Sequence, residues 1–184
     1  MTTLYEAAMR NFCAAADILE ALQSTRLDLV GEARNGLIGR PRLALGGGYN
    51  DVTSFFGACL PVSGRAELLA AENGSGVELR CSSADWLTLE GTLAGEVITD
   101  SCYVEMQLSA DRPVIADVFL REFLDGGAVR DTGHRECHLS VGGVAVCKLA
   151  LPELAEDVTA RRVIIHLRHP AARLIIDRLA ITLT

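Results

Sequence analysis

The run His134-Arg135-Glu136-Cys137-His138 is the densest concentration of chemically competent side chains in the sequence. On a β-strand His134, Glu136 and His138 fall at i, i+2 and i+4 and share one face. Two imidazoles and a carboxylate form a donor set suited to zinc, manganese or non-haem iron, and cupin-type enzymes place such donors on strands. Cys137 and Leu139 then point to the core, which leaves the three donors on a groove or on an ordinary solvated polar face. The spacing differs from that of the cupins, and both readings stay open at this point.

A second set is made of planar and aromatic groups. His166 and Arg168 alternate with Ile165 and Leu167, and Tyr103, Glu105 and Gln107 alternate with Val104, Met106 and Leu108. With Arg121 and Trp86, the one tryptophan of the chain, they are candidates for binding a hydroxyl-rich ligand through paired hydrogen bonds on a sheet groove. The competing reading is a wet sheet face carrying cross-strand charge pairs.

Other chemistries lack their signatures. There is no Gly-x-Ser-x-Gly elbow, and no cysteine stands in a recognisable nucleophile context. Cys13, Cys59, Cys81, Cys102, Cys137 and Cys147 include no Cys-x-x-Cys pair and read as reduced thiols acting as small core hydrophobes. Gly46-Gly47-Gly48 is followed by Tyr49-Asn50 rather than Lys-Ser/Thr, so it reads as a turn and not as a phosphate loop. Glu78, Glu90, Glu105, Asp117 and Glu122 lie on expected strands, but strand placement alone gives no carboxylate separation with which to argue glycoside cleavage.

The elements that must position these groups are mostly strands. Thr3-Leu4-Tyr5-Glu6 has capping-box form, and Tyr5, Met9, Phe12, Ala16 and Leu19 recur at helical spacing opposite Arg10, Asp17 and Glu20. This predicts an amphipathic helix over 3–24, its stripe packed on the rest of the chain or on another subunit. Residues 25–64 lose all period among many glycines and prolines; short strands at 42–45 and 52–56, joined through 46–50, are expected there. From residue 65 the chain reads as strands at 66–71, 77–81, 86–93, 102–110, 114–123, 128–132, 135–141, 144–151, 163–169 and 173–183. Turns are expected at 72–76, at Asp125-Gly126-Gly127 and at Gly142-Gly143.

So many strands without intervening helices predict a mostly β chain, a two-sheet antiparallel β-sandwich (jelly roll) with one N-terminal amphipathic α-helix. The 184 residues, 49% hydrophobic and 22% charged, fit one domain, 1–184, with its sandwich over 65–184. The net charge of -7 disfavours nucleic acid as a partner. No apolar window is long enough for membrane insertion, charges interrupt any export-signal pattern at the N-terminus, and the cytoplasm is the expected compartment.

Residues 86–184 resemble the later strands of carbohydrate-binding-module-type jelly rolls, the galactose-binding-like sandwiches. The likeness is carried by 103–110, by 118–123 with its Asp-Gly-Gly turn, by 163–167 and by Leu174-Ile175-Ile176-Asp177-Arg178-Leu179-Ala180-Ile181. The resemblance implies a non-catalytic binding module with a glycan or glycoconjugate as partner. In that group an aspartate of the closing strand often lies near a structural calcium, a place that Asp177 matches. No cofactor is required by this reading. The alternatives are a small metal-dependent enzyme built on His134, Glu136 and His138, and a structural subunit forming a homo-oligomer through the helix or the sheet edges.

Overall fold

The computed structural model describes residues 3–72, 74–94 and 99–184; Asn73, in the turn expected at 72–76, lies outside them. Helix α1, Leu4–Ser24, starts at its capping box. Thr3 Oγ1 accepts from the Glu6 N–H at 3.2 Å, and the Glu6 carboxylate accepts from the Thr3 N–H at 2.8 Å. Its apolar stripe does not pack on the sandwich: Leu4, Tyr5, Met9, Phe12, Ile18 and Leu19 are all exposed. Only the root of the helix is tied down, where Leu22 is partly covered and the Thr25 hydroxyl donates to Leu183 O at 2.9 Å.

The stretch after α1 is more ordered than its glycine content predicts. Strand β1, Arg26–Asp28, leads into a second helix, α2, Leu29–Gly36, which the sequence reading does not contain. Asp28 caps it by accepting from the Val30 N–H at 3.1 Å. Two turns are too few to establish a period, and Gly31 and Gly36 sit within them. Gly36 is required because a Cβ there would lie 2.4 Å from Val52 Cγ1. Leu29 is fully buried between the sheets, against the strand positions of Gly91 and Ile181.

Twelve further strands follow among the described residues: β2 Arg42–Leu45, β3 Gly48–Asp51, β4 Phe56–Leu60, β5 Arg65–Ala70, β6 Val77–Ser83, β7 Trp86–Leu93, β8 Ser101–Ala110, β9 Val114–Leu124, β10 Val129–Leu139, β11 Val144–Ala150, β12 Val158–Arg168 and β13 Arg173–Leu183. They form two sheets, one of seven strands in the order β11-β8-β13-β6-β5-β2, with β1 also on β13, and one of six in the order β10-β9-β12-β7-β4-β3. Every ladder among the described residues is antiparallel. The two-sheet antiparallel sandwich expected from the strand pattern is the fold observed.

Alternation decides which residues meet between the sheets. Val104, Met106 and Leu108 of β8, Val118 and Leu120 of β9, Val163, Ile165 and Leu167 of β12 and Leu174, Ile176, Leu179 and Ile181 of β13 form one buried cluster. Each such side chain contributes about 1.5–3 kcal/mol by leaving water. Two expectations change. Residues 128–132 and 135–141 are one strand, β10, whose register slips between Thr132 and Arg135; Gly133, at φ 75°, makes a bulge where the sequence reading has a break. Strands β2 and β3 lie in different sheets, so Gly46-Gly47 turns the chain from one sheet to the other; the strand expected at 52–56 is instead the turn that joins β3 to its hairpin partner β4, which begins at Phe56.

Candidate functional site

The outer face of the six-stranded sheet is built from the side chains that alternate with that core. On β9 these are Asp117, Phe119, Arg121 and Phe123; on β12 Arg162, Ile164, His166 and Arg168; on β7 Trp86, Thr88 and Glu90. Their registers bring them into rows, with Phe119 and Glu90 flanking Ile164, and Asp117 and Thr88 flanking His166. Although they point away from the core, Ile164 is 0% exposed, Glu90 3%, Phe119 5% and Thr88 7%. The middle of this face is therefore a floor covered by the side chains around it.

Tyr49 reaches this face because of the triple glycine. The side chain of Asn50 pins the turn, accepting from the Gly46 N–H at 3.0 Å and donating to Gly46 O at 2.8 Å and Gly48 O at 3.0 Å. Gly48 takes φ 88°, open to glycine at little cost. The Tyr49 ring then lies over Gly57, where a Cβ would come within 2.2 Å of the phenol oxygen.

Arg162 organises the floor. Its guanidinium carbon stands 4.0 Å from the Tyr49 ring centre and 4.8 Å from that of Phe123, and its Nη1 donates to Glu90 Oε2 at 3.0 Å. The other Glu90 oxygen accepts from the Thr88 hydroxyl at 2.8 Å. Burying a carboxylate is costly unless it is paired and hydrogen-bonded, and both conditions are met. Burial pushes the Tyr49 hydroxyl up to about 12, so it remains a neutral donor. Burial also raises the Cys59 thiol, and the nearby Glu90 charge adds to the effect.

Beside the floor, Arg121 grips Asp131 with two hydrogen bonds of 2.8 and 2.7 Å and lies over Phe119 at 5.5 Å. The His134 ring stacks on Phe119 with centres 4.5 Å apart. The His166 ring meets Trp86 edge-on at 5.8 Å. Burial holds the His166 imidazole below its ordinary range, against the opposing pull of Asp117, which favours the neutral ring with one donor and one acceptor.

Trp86, Arg121, His166 and Arg168 thus share this face. Tyr103, Glu105 and Gln107 do not: β8 belongs to the seven-stranded sheet, and they lie on the opposite side of the molecule. Alternation assigns a face within a strand but not the sheet that owns it. Glu105 is taken up there by Arg26, in two hydrogen bonds of 2.9 and 3.0 Å, at an open cleft also bordered by Asp28, Arg34, Asp177 and Arg178.

His134, Glu136 and His138 do share one face of β10, but the structure gives each a partner other than a common centre. His134 Nδ1 lies 3.3 Å from Asp117 Oδ2, His138 Nε2 is 2.8 Å from Glu136 Oε1, and Arg168 binds the other Glu136 oxygen at 3.0 Å. Side chains at i and i+4 of a strand stand ~13 Å apart at their roots, and among the described residues no three His, Cys, Asp or Glu groups are placed to hold a metal ion. Asp177 is on the other sheet, with the Ser109 hydroxyl 3.4 Å away.

Tyr49, Thr88, Glu90, Phe119, Phe123, Arg162 and Ile164 complete the face and were absent from the sequence-derived candidates. A signal for three of them exists. Phe119 and Ile164 are large apolar residues in the outward phase of strands, and Arg162 shares that phase with His166 and Arg168. Apolar residues on both phases of adjacent strands indicate that the outer face is also covered. The carboxylates of the face, Glu90, Asp117, Asp131 and Glu136, are each paired with arginine or histidine. Chemically, the arrangement offers planar donors and acceptors fixed in position, with a tryptophan beside them.

No protein-family model matches the sequence, and no curated protein matches it. Solved structures do. The CBM22-1-CBM22-2 tandem domain of Paenibacillus barcinonensis Xyn10C is 13% identical, with a TM-score of 0.52 over 86% of this chain and 49% of that one. The CBM22-1 xylan-binding domain of the same protein is 10% identical, with a TM-score of 0.50 over 77% of this chain and 92% of that one. The CBM22-1-GH10 modules of Clostridium thermocellum xylanase Xyn10B, solved with xylohexaose, are 10% identical, with a TM-score of 0.50 over 78% of this chain and 26% of that one. At such identities the likeness is one of architecture, and the chain has the β-jelly-roll fold of carbohydrate-binding modules.

Proposed function

We propose that this chain is a non-catalytic binding module that takes a glycan along the outer face of its six-stranded sheet. The observation that carries the reading is the covered floor of that face. Four outward-pointing side chains are almost withdrawn from solvent, and planar groups, Arg121, Arg162, His166, Trp86 and Tyr49, are held around them by fixed partners. Sites that recognise hydroxyl-rich ligands need such oriented donors and acceptors on a rigid sheet. The fold supports the same reading, since solved structures sharing it are xylan-binding domains or carry xylohexaose.

The two aromatic faces best placed for stacking, Tyr49 and Phe123, are occupied by the Arg162 guanidinium. Recognition is therefore dominated by hydrogen bonds from arginine and histidine, with the half-buried Trp86 as an apolar contact. Xylan and other neutral β-linked polysaccharides are the first ligands to test, by affinity electrophoresis and then on a broad glycan array, beside an Arg121→Ala/His166→Ala variant. Saturable binding that is strongly weakened in the variant is expected. Unweakened binding by the variant, or a folded protein that retards on no glycan, would overturn the proposal.

A further inference from the structure

Helix α1 is exposed on the side where a soluble helix is usually covered. Leu4, Tyr5, Met9, Phe12, Ile18 and Leu19 are each at least 45% exposed, although Arg10, Asp17, Glu6 and Glu20 on its other side would serve as a solvated surface. Residues 4–24 also repeat with a period of seven. Tyr5, Phe12 and Leu19 take one position of the repeat, Ala8, Ala15 and Leu22 the position three residues later, and Leu4, Asn11 and Ile18 a flanking one. Large residues at one seam position and mostly small ones at the next, kept over three heptads, form the pattern of a helix that pairs with another helix.

We infer that α1 pairs with α1 of a second copy, antiparallel, about a two-fold axis. Run in the opposite direction, the same helix closes every layer with a large residue against a smaller or equal one: Phe12 on Ala15, Leu19 on Ala8 and Tyr5 on Leu22. A parallel pair would set Phe12 on Phe12 and Ala15 on Ala15, leaving voids at the alanine layers that cores do not tolerate. The antiparallel pairing is self-complementary, as a two-fold interface must be. No charged residue falls on the seam or its flanks, so two chains of net charge -7 bring neither like charges nor an unpaired ion into contact there. Six large side chains, each offering on the order of 100 Å², approach the ~800 Å² per partner of a stable interface. Among the described residues the sandwich supplies no competing cover, since it holds the helix at its root.

The pairing is independent of the glycan proposal, although it would set two grooves on one particle and raise avidity for a polymer. Sedimentation of the full chain tests it. A species of twice the 19.7 kDa chain mass is expected, reduced to the single-chain mass by Phe12→Glu and by Leu19→Glu with the thermal unfolding of the sandwich unchanged. In a Cys13→Ser background, oxidation should link two Ala8→Cys/Leu19→Cys chains but not two Ala8→Cys chains. A wild-type chain that remains single at every attainable concentration, or a dimer that survives Phe12→Glu, overturns the pairing. Efficient linkage of Ala8→Cys alone overturns its antiparallel direction.

Discussion

The two sheets of the sandwich turn different outer faces to the solvent. On the seven-stranded sheet, outward positions carry matched charges, at the surface for Arg26 and Arg178 on Glu105 and for Arg42 on Glu67, and over a buried carboxylate for Arg80 and Arg173 on Glu78. On the six-stranded sheet the centre is apolar and aromatic, and its buried Glu90 serves to hold Arg162 between two rings. Surface pairs of the first kind contribute little each. A buried, partnered carboxylate under a stacked guanidinium fixes geometry. Each sheet thus carries a buried, partnered carboxylate that points away from the core, Glu78 on one and Glu90 on the other, and what separates the candidate binding face is the covered apolar and aromatic cluster around its carboxylate.

The contrast can be broken most directly at Glu90. Glu90→Ala leaves Arg162 without its counter-charge and the Thr88 hydroxyl without its acceptor, and should cost about 3–5 kcal/mol in denaturant unfolding while abolishing glycan binding. A loss under 1 kcal/mol would mean that the pair does not set the face. Next in size is the Arg121→Ala/His166→Ala variant, which should raise the Kd on the order of 10- to 100-fold by calorimetry with stability nearly unchanged, because both side chains stand beside the floor rather than in it.

Glu78 gives a smaller effect, confined to acid. The Arg173 guanidinium, and then Arg80, hold its carboxyl down at about 2, below the usual 4.5. A depressed carboxylate stabilises the fold fully above about pH 4.5 and loses that contribution as the pH falls toward 2. Glu78→Gln should therefore lower the melting temperature at pH 7 but narrow the gap from wild type by pH 3, in parallel melts at the two pH values. An equal deficit at both would contradict the assigned pairing. Smallest of all, Tyr103→Ala/Gln107→Ala on the opposite face should leave the Kd unchanged and stability within about 0.5 kcal/mol; loss of binding would move the site to the other sheet.

Most of the architecture was legible in the residues. The capping box at Thr3 and Glu6 starts α1, the Asp125-Gly126-Gly127 turn joins β9 to β10 with both glycines at positive φ, and the alternation of 103–108 places Val104, Met106 and Leu108 in the core. Helix α2 was not legible, because its position depends on Leu29 entering the sandwich and on Gly36 meeting Val52, contacts remote in sequence. The candidate site was half legible. Alternation puts Arg121, His166 and Arg168 on an outer phase, but sheet membership comes from pairing, and it was pairing that removed Tyr103, Glu105 and Gln107. Arg162 escaped notice because its role lies in the two rings around it, one of them Tyr49 on β3, in a stretch that the sequence reads as a turn.

The root of α1 and the last strand are laced together: Leu183 N–H donates to Thr25 O at 3.3 Å, Thr25 returns a hydrogen bond to Leu183 O, and Thr184 N–H donates to Ser101 O at 2.9 Å. Residue 184 thus leaves the seven-stranded sheet next to the foot of the helix, with the six-stranded sheet on the far side of the core. A protein anchored to a sensor surface through a handle after Thr184 would crowd its helices and display its groove. The same chain with a handle inserted at the β9–β10 turn would do the reverse, so the two immobilisations read out the two surfaces separately without altering a residue of either.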